Sequence, residues 1–100
     1  MSGNDSKVLV DLNAPTFQDD LFELDVPDLK KVIKTLKKIR RMVWQDVFVD
    51  KGLHWEEIIS MTGKYSIRLS SSYRAVVTRE GEWMRFSALH PDHDGAYGKM

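Results

Sequence analysis

Acid–base side chains cluster near the end of the chain, in the stretch HPDHDGAY at 90–97. His90 and His93 lie three residues apart, and Tyr97 follows them. Histidine can give or take a proton near neutral pH. Two histidines at this spacing can share a metal ion on a helix, but the proline and the glycine of the stretch disfavour a helix. We therefore expect neither a metal site nor another cofactor.

Two arginines on predicted strands complement these histidines. The period-two patterns YSIRL and YRAVVTR place Arg68 and Arg74 on the faces opposite the apolar residues. Cleavage of RNA needs a base for the ribose 2′-OH, an acid for the leaving 5′-oxygen and cations at phosphorus. Metal-independent RNA cleavage is one chemistry that fits. Surface arginines paired with acids and a solvated histidine tail fit the same residues, and from the residues alone this is the simpler interpretation.

Composition narrows the classes of protein. A chain of 100 residues with 42% hydrophobic and 30% charged residues is typical of one small globular domain. The absence of cysteine excludes disulfides and thiolate zinc sites. A small fold that holds without disulfides suits the cytoplasm, so a cytoplasmic protein is expected. No apolar run approaches the length of a membrane span, and no secretory signal is apparent. We expect one domain over 1–100, with 1–6 and 98–100 flexible.

The net charge is zero, but the bases are concentrated in one segment. The segment 30–41 holds seven bases and no acid: Lys30, Lys31, Lys34, Lys37, Lys38, Arg40 and Arg41. A basic stripe of this kind can contact nucleic acid. A solvated helix face explains it more simply.

Periodicity predicts an α+β domain, with two N-terminal helices packed on one face of a small antiparallel sheet. The predicted order is β-α-α-β-β-β, and the sheet's second face is partly open. In the last strand Met84, Phe86 and Ala88 are expected on one face. His54 is interpreted as a packing residue beside Trp55. The predicted elements are an edge strand at 7–13, helices at 15–24 and from 25 towards 43, and strands at 65–69, 73–79 and 82–89.

The stretch KYSIRLSSSYRAVV at 64–77 resembles the RelE/HigB/YoeB/ParE superfamily of bacterial toxin–antitoxin toxins. The likeness lies in a strand with basic residues, a small polar turn and a "YR" pair that begins an apolar strand. It extends to the order of elements over about 7–98. It implies a RelE-like toxin domain that inhibits translation as a ribosome-dependent mRNA endonuclease. The implied partners are a cognate antitoxin, the ribosome and mRNA, with no membrane and no small-molecule cofactor.

The resemblance also implies roles for single residues. Arg74 matches the family's arginine at the scissile phosphate, and Glu56 lies near the position of a catalytic glutamate in one branch. The implied catalytic residues are His90, His93, Arg74, Tyr97 and Glu56. The implied RNA-phosphate ligands are Lys64, Arg68 and Arg74, and the implied ribosome-facing helix surface comprises Lys30, Lys34, Lys37, Lys38 and Arg41.

Two alternatives to the nuclease stay open. A ParE-like toxin would inhibit DNA gyrase through its surface and would need no acid–base groups. A catalytically weak, binding-only homologue would keep the fold alone. Asp92 and Asp94 bear on the second alternative, because carboxylates beside the histidines repel RNA phosphate and can raise histidine pKa values.

Overall fold

Three helices cover one face of a five-stranded sheet in the computed structural model, which describes residues 3–92. The strand order is β1-β5-β4-β3-β2, and all neighbours are antiparallel except β1 and β5. The predicted α+β class is confirmed. A 3-10 turn at Gly3–Asp5 precedes β1 (Leu9–Asp11), α1 (Pro15–Phe22), α2 (Val26–Arg40), α3 (Trp44–Val49), β2 (Glu56–Glu57), β3 (Tyr65–Arg68), β4 (Tyr73–Glu80) and β5 (Trp83–Pro91).

The N-terminal strand lies at the edge of the sheet, as predicted, but it is shorter than 7–13 and runs parallel to β5. Val8, just before it, is fully buried. The residues ahead of the strand also contact the body of the protein. Trp44 donates its backbone N–H to the Ser6 carbonyl at 3.0 Å, and Arg79 donates to Asn4 Oδ1 at 2.7 Å. The expected flexibility of 1–6 stays a prediction.

The first two helices each begin with a proline in the first turn, where its missing N–H costs no hydrogen bond. Helix α1 ends at Phe22, two residues before the predicted 24, and α2 begins at Val26. The helical period predicts an apolar stripe on this helix: Leu29, Val32, Ile33, Leu36, Ile39 and Val43. In the structure Val32, Leu36 and Ile39 are buried, whereas Ile33 is 38% exposed. Helix α2 ends at Arg40, so the stripe does not reach 43 as helix.

A third helix, α3, follows directly and was not predicted as a separate element. It spans six residues, too few for a helical period to be distinguished from a general apolar run. Trp44 at its start is fully buried and donates its indole N–H to the Glu82 carbonyl at 3.0 Å. Tertiary packing of this indole, also in edge contact with Trp55 at 5.7 Å, accounts for the apolar residues after α2.

A β-bulge in β5 changes which side chains face the helices. Val76 pairs with Ala88 but Val77 pairs with Phe86, so Ser87 is an extra residue. Phe86 is fully buried before the bulge, and Leu89 is buried after it. The prediction that Ala88 shares the face of Met84 and Phe86 is therefore wrong, because the bulge reverses the alternation. No helix among the described residues is long and apolar enough to cross a membrane.

Candidate active site

Three basic side chains stand in one row across the open face of the sheet. Arg68 on β3 pairs directly with Arg74 on β4, and Arg74 pairs directly with His90 on β5. Directly paired residues project from the same face of a sheet. The row of Arg68, Arg74 and His90, hereafter the cationic row, therefore points away from the helices. The expectation that the two arginines share a face is confirmed.

The bulge at Ser87 brings His90 into this row. If the alternation of Met84 and Phe86 continued unbroken through β5, His90 would point into the core. The extra residue reverses the alternation, so Leu89 is buried and His90 is partly exposed. Bulges commonly redirect a side chain beside a functional site. Sequence reasoning placed His90 beyond the last strand, whereas it lies within β5, which ends at Pro91.

Arg74 is held at the centre of the row. It is buried, at 9% exposure, and its Nε donates to Ser66 Oγ at 2.8 Å. Its terminal nitrogens lie 3.9 Å from Glu56 Oε1 and 4.0 Å from Asp92 Oδ2. Both distances are too long for hydrogen bonds, although both carboxylates attract the guanidinium. The guanidinium is thus fixed through Nε, and its outer donors remain available to an anionic ligand.

Asp92 lies against the two arginines of the row. Its side chain is 3% exposed, and Oδ2 lies 3.3 Å from Arg68 Nε. Its backbone N–H donates to the Ser72 carbonyl at 2.7 Å, which fixes the chain just after β5. A carboxylate between two guanidiniums occupies a position that suits a phosphate, because both anions accept hydrogen bonds from the same planar forks. The sequence suggested that Asp92 acts on the histidines, but the structure pairs it with Arg68 and Arg74.

The opposite wall of the groove is formed by β2 and the residues before it. Glu56 pairs with Ser66 across the β2–β3 ladder, and its side chain is 57% exposed. His54 Nε2 lies 3.4 Å from Glu56 Oε1. The interpretation of His54 as a packing residue is wrong, since its side chain is 55% exposed on the groove. The sequence carries no signal for this exposure, because His54 has a positive φ of 51° and so lies outside the regular alternation of a strand.

The groove between these walls has a volume of about 690 Å³. Its floor is Val76 and the cationic row, and its apolar lip includes Ile59, which is 97% exposed, and Met61. A positively charged floor beside an apolar lip suits a ligand that has both a phosphate and a flat apolar group. Within residues 3–92, no group of three histidine, aspartate or glutamate side chains is placed to hold a metal ion.

The structure brings together some of the predicted site residues and separates others. Arg68, Arg74, His90 and Glu56 line the groove. Lys64 does not line it; its backbone closes the turn before β3 through hydrogen bonds with Ile58 and Met61. His93 and Tyr97 lie outside the described residues. The predicted basic helix residues line a separate groove of about 510 Å³ on the outer face of α2: Lys30, Lys34, Lys37, Lys38 and Arg41.

Comparison of the sequence with protein-family models gives no match, and no curated protein matches it either. Comparison with solved structures does find similar folds. The RelB–RelE antitoxin–toxin complex of Methanococcus jannaschii contains a chain with a TM-score of 0.61 and 18% identity, covering 93% of this chain and 99% of that one. The archaeal RelE–RelB complex of Pyrococcus horikoshii gives a TM-score of 0.62 at 13% identity, covering 86% of this chain and 96% of that one.

A bacterial structure shows the same arrangement. The YoeB dimer of Staphylococcus aureus gives a TM-score of 0.54 at 17% identity, covering 83% of this chain and 94% of that one. These likenesses extend over most of each chain, so they concern the whole arrangement of helices and sheet. Because the sequence identities are only 13–18%, these structural likenesses establish the fold alone. The chain therefore has the fold of the RelE and YoeB toxins.

Proposed function

We propose that this protein is the toxin of a type II toxin–antitoxin system, and that it inhibits translation by cutting mRNA on the ribosome without a metal ion. The observation that carries the proposal is the order of groups across one groove. The groove holds the carboxylate of Glu56 on β2, then the buried guanidinium of Arg74 on β4, then the imidazole of His90 on β5. These are a base, a cation for the phosphate and an acid.

The two arginines bind the scissile phosphate in this mechanism. Arg74 offers its terminal nitrogens at the centre of the groove, while Ser66 holds its Nε at 2.8 Å. Arg68 stands beside it on the neighbouring strand. Negative charge grows on the phosphoryl oxygens as the transition state forms, and donors already fixed around that position lower its free energy.

The acid and the base lie on opposite sides of Arg74. Glu56 takes the proton from the ribose 2′-OH, and the freed oxygen attacks phosphorus. The bond from phosphorus to the 5′-oxygen breaks, and protonated His90 gives its proton to that oxygen. Attacking and leaving oxygens lie roughly in line through phosphorus, which requires base and acid on opposite sides. The products are a 2′,3′-cyclic phosphate and a 5′-hydroxyl end.

Three predicted residues keep their roles within this proposal. His93 is the alternative acid, and Tyr97 stacks on a base. Lys64 adds positive charge near the incoming strand. The partner is a cognate antitoxin, for which the RelB–RelE complexes provide the analogy, and an acidic segment suits the basic surface of α2. The same basic surface can contact ribosomal RNA, and a single cytoplasmic domain over 1–100 agrees with these roles.

One observation favours a second function, that of a binding-only homologue. Asp92 lies within 4.0 Å of both arginines and neutralises part of their charge. A phosphate must displace this carboxylate or bind beside it. If the Asp92 carboxylate is not displaced from the two arginines by an RNA phosphate, the protein would keep the fold and the antitoxin partner but would cut RNA weakly.

A translation-coupled primer-extension assay tests the proposal. Purified wild-type protein should cut mRNA on translating ribosomes, and His90→Gln and Arg74→Lys should each cut far more slowly. Arg85→Lys is the matched control, because Arg85 lies at the other end of β5 and pairs with Asp11 at 3.0 Å. Equal cutting by all variants contradicts the assignment. Intact mRNA together with inhibition of gyrase supercoiling would support the ParE-like alternative instead.

A further inference from the structure

The β3–β4 turn connects the cationic row to the basic face of α2. Ser70 and Ser71 in this turn line two shallow grooves against the helix. One groove, of about 310 Å³, reaches from Arg68 to Lys38. The other, of about 350 Å³, reaches from the same turn to Lys31 and Lys34. Because the grooves share Lys38 and the two serines, they form one surface, hereafter the basic track: Arg68, Ser70, Ser71, Lys38, Lys34 and Lys31.

The charge of the basic track has one sign. No acidic side chain among the described residues lines either groove, and every charged residue in them is a lysine or an arginine. Two cations of the track are ion-paired, Arg68 with Asp92 at 3.3 Å and Lys38 with Asp50 at 3.0 Å. Lys31 and Lys34 are exposed. A row of exposed cations attracts a polyanion far more than a single charged group, because each contact releases a counterion.

The polar groups of the track suit phosphate. Ser70 Oγ accepts the backbone N–H groups of Ser72 and Tyr73, each at 3.1 Å. Its own hydroxyl hydrogen then points elsewhere and can be donated, since one hydroxyl offers one donor besides its acceptor pairs. Ser71 is exposed. The turn thus places two hydroxyl donors between the guanidinium of Arg68 and the ammonium groups of α2.

The basic track bends around the end of the sheet, and this bend favours single-stranded over double-stranded nucleic acid. Arg68 projects from the open face of the sheet, whereas α2 packs through Val32 and Leu36 into the core on the other side. A ligand on both must bend around the end of the sheet. Duplexes resist bending over such short lengths. A single strand bends freely and repeats a phosphate at every nucleotide.

We propose that the basic track binds single-stranded RNA on one side of the scissile phosphate, so that the substrate strand runs from the cationic row over Ser70 and Ser71 onto α2. The position of the scissile phosphate rests on the proposed function above. The basic residues of α2 then fall into two groups that contact different ligands. Lys31, Lys34 and Lys38 contact the substrate strand, while Lys30, Lys37 and Arg41 remain available to ribosomal RNA or the antitoxin.

Equilibrium binding of two uncleavable RNAs tests the track. The probes are a trinucleotide and a dodecanucleotide in which 2′-O-methyl groups replace the attacking hydroxyls, each titrated over a range of salt concentrations. The wild type should bind the longer RNA more tightly and with a steeper salt dependence. Lys34→Gln should lower that salt slope by about 0.7 and weaken dodecanucleotide binding about fivefold at 0.1 M salt. It should leave trinucleotide binding unchanged.

Lys7→Gln is the matched control, because Lys7 is exposed and lines neither groove. Equal effects of Lys34→Gln and Lys7→Gln on the dodecanucleotide would overturn the track, as would equal affinity of the wild type for the two RNAs. Failure of the track leaves the proposed function intact, because primer extension measures cleavage separately. Absence of cleavage in that assay overturns the proposed function without changing the binding result.

Discussion

The carboxylate of Asp92 lies 3.3 Å from Nε of Arg68, and its side chain is 3% exposed. The same oxygen lies 4.0 Å from Nη1 of Arg74. A buried carboxylate between two guanidiniums stabilises both cations, yet it competes with any other anion for them. The arginine pair is therefore already partly neutralised before a phosphate arrives.

Asp92→Asn should tighten binding of the uncleavable trinucleotide by about tenfold, or about 1.4 kcal/mol, because the phosphate no longer competes with a carboxylate charge for Arg68 and Arg74. The same change should lower the free energy of unfolding by about 1–3 kcal/mol, since the buried arginine loses its counter-charge. Titration with the RNA and urea denaturation measure the two effects. Asp11→Asn is the control, because it removes a carboxylate paired with Arg85 instead. Unchanged or weaker RNA binding by Asp92→Asn would contradict this competition.

Arg74→Lys should lower kcat by about 100-fold or more, because one fixed donor to a developing oxyanion is typically worth that factor. Lysine keeps the charge but loses the planar fork and the Nε contact with Ser66. Single-turnover cleavage on programmed ribosomes measures the effect. Ser66→Ala, which leaves the guanidinium unanchored, should lower kcat less than Arg74→Lys does. The opposite order would show that Arg74 is not the phosphate ligand.

His90→Gln should lower kcat by about 100-fold or more if the imidazole is the general acid. An mRNA with sulfur in place of the 5′-oxygen at the scissile bond should rescue this variant, because a thiolate leaves without a proton. The sulfur substrate should not rescue Arg74→Lys, whose defect lies in holding the phosphate. Rescue of both variants, or of neither, rules out His90 as the acid.

Asp50 connects α2 to the residues that lead into the groove. Its carboxylate contacts Lys38 at 3.0 Å and accepts the backbone N–H of Leu53 at 2.9 Å. Burial alone would raise the pKa of Asp50, but Lys38 and the backbone N–H groups of Leu53 and Gly52 outweigh it and hold the pKa below its ordinary 3.8. The charged form is thus favoured in the folded protein.

Asp50→Asn should therefore lower the free energy of unfolding at pH 7 by about 1 kcal/mol. A lowered folded pKa means that the wild-type advantage is present above pH 3.8 and is lost as pH falls through the lowered value. Urea denaturation at several pH values checks this. Asp19→Asn, at an exposed position, should change stability little at any pH. A difference for Asp50→Asn that stays constant down to pH 2 would contradict the role of its charge.

Local patterns in the sequence predicted much of this fold for clear reasons. Period-two alternation in β3 and β4 placed Arg68 and Arg74 on one face, because no bulge interrupts that ladder. The apolar stripe of α2 predicted burial of Val32, Leu36 and Ile39, since a helix of 15 residues shows its period several times. Short elements gave no such signal, and β2 spans two residues only.

The positions of the candidate site residues could not be predicted, because they depend on contacts between residues that are far apart in the sequence. The place of His90 follows from the bulge at Ser87, which arises from pairing with β4 and leaves no mark in the sequence of β5. The contact of Asp92 with Arg68 joins residues 24 positions apart, so no spacing rule predicts it. His54 has a positive φ of 51°, a conformation that sequence patterns do not predict for histidine.

We propose that the groove of Glu56, Arg74 and His90 cuts RNA by attack of the ribose 2′-OH. The most direct measurement is the chemical identity of the two new ends in mRNA cut by the purified protein on ribosomes, determined by mass spectrometry. Attack by the 2′-OH should leave a 2′,3′-cyclic phosphate, or the 3′-phosphate to which it opens, on one fragment and a 5′-hydroxyl on the other. A 3′-hydroxyl with a 5′-phosphate would show that water attacked instead, and would contradict the mechanism.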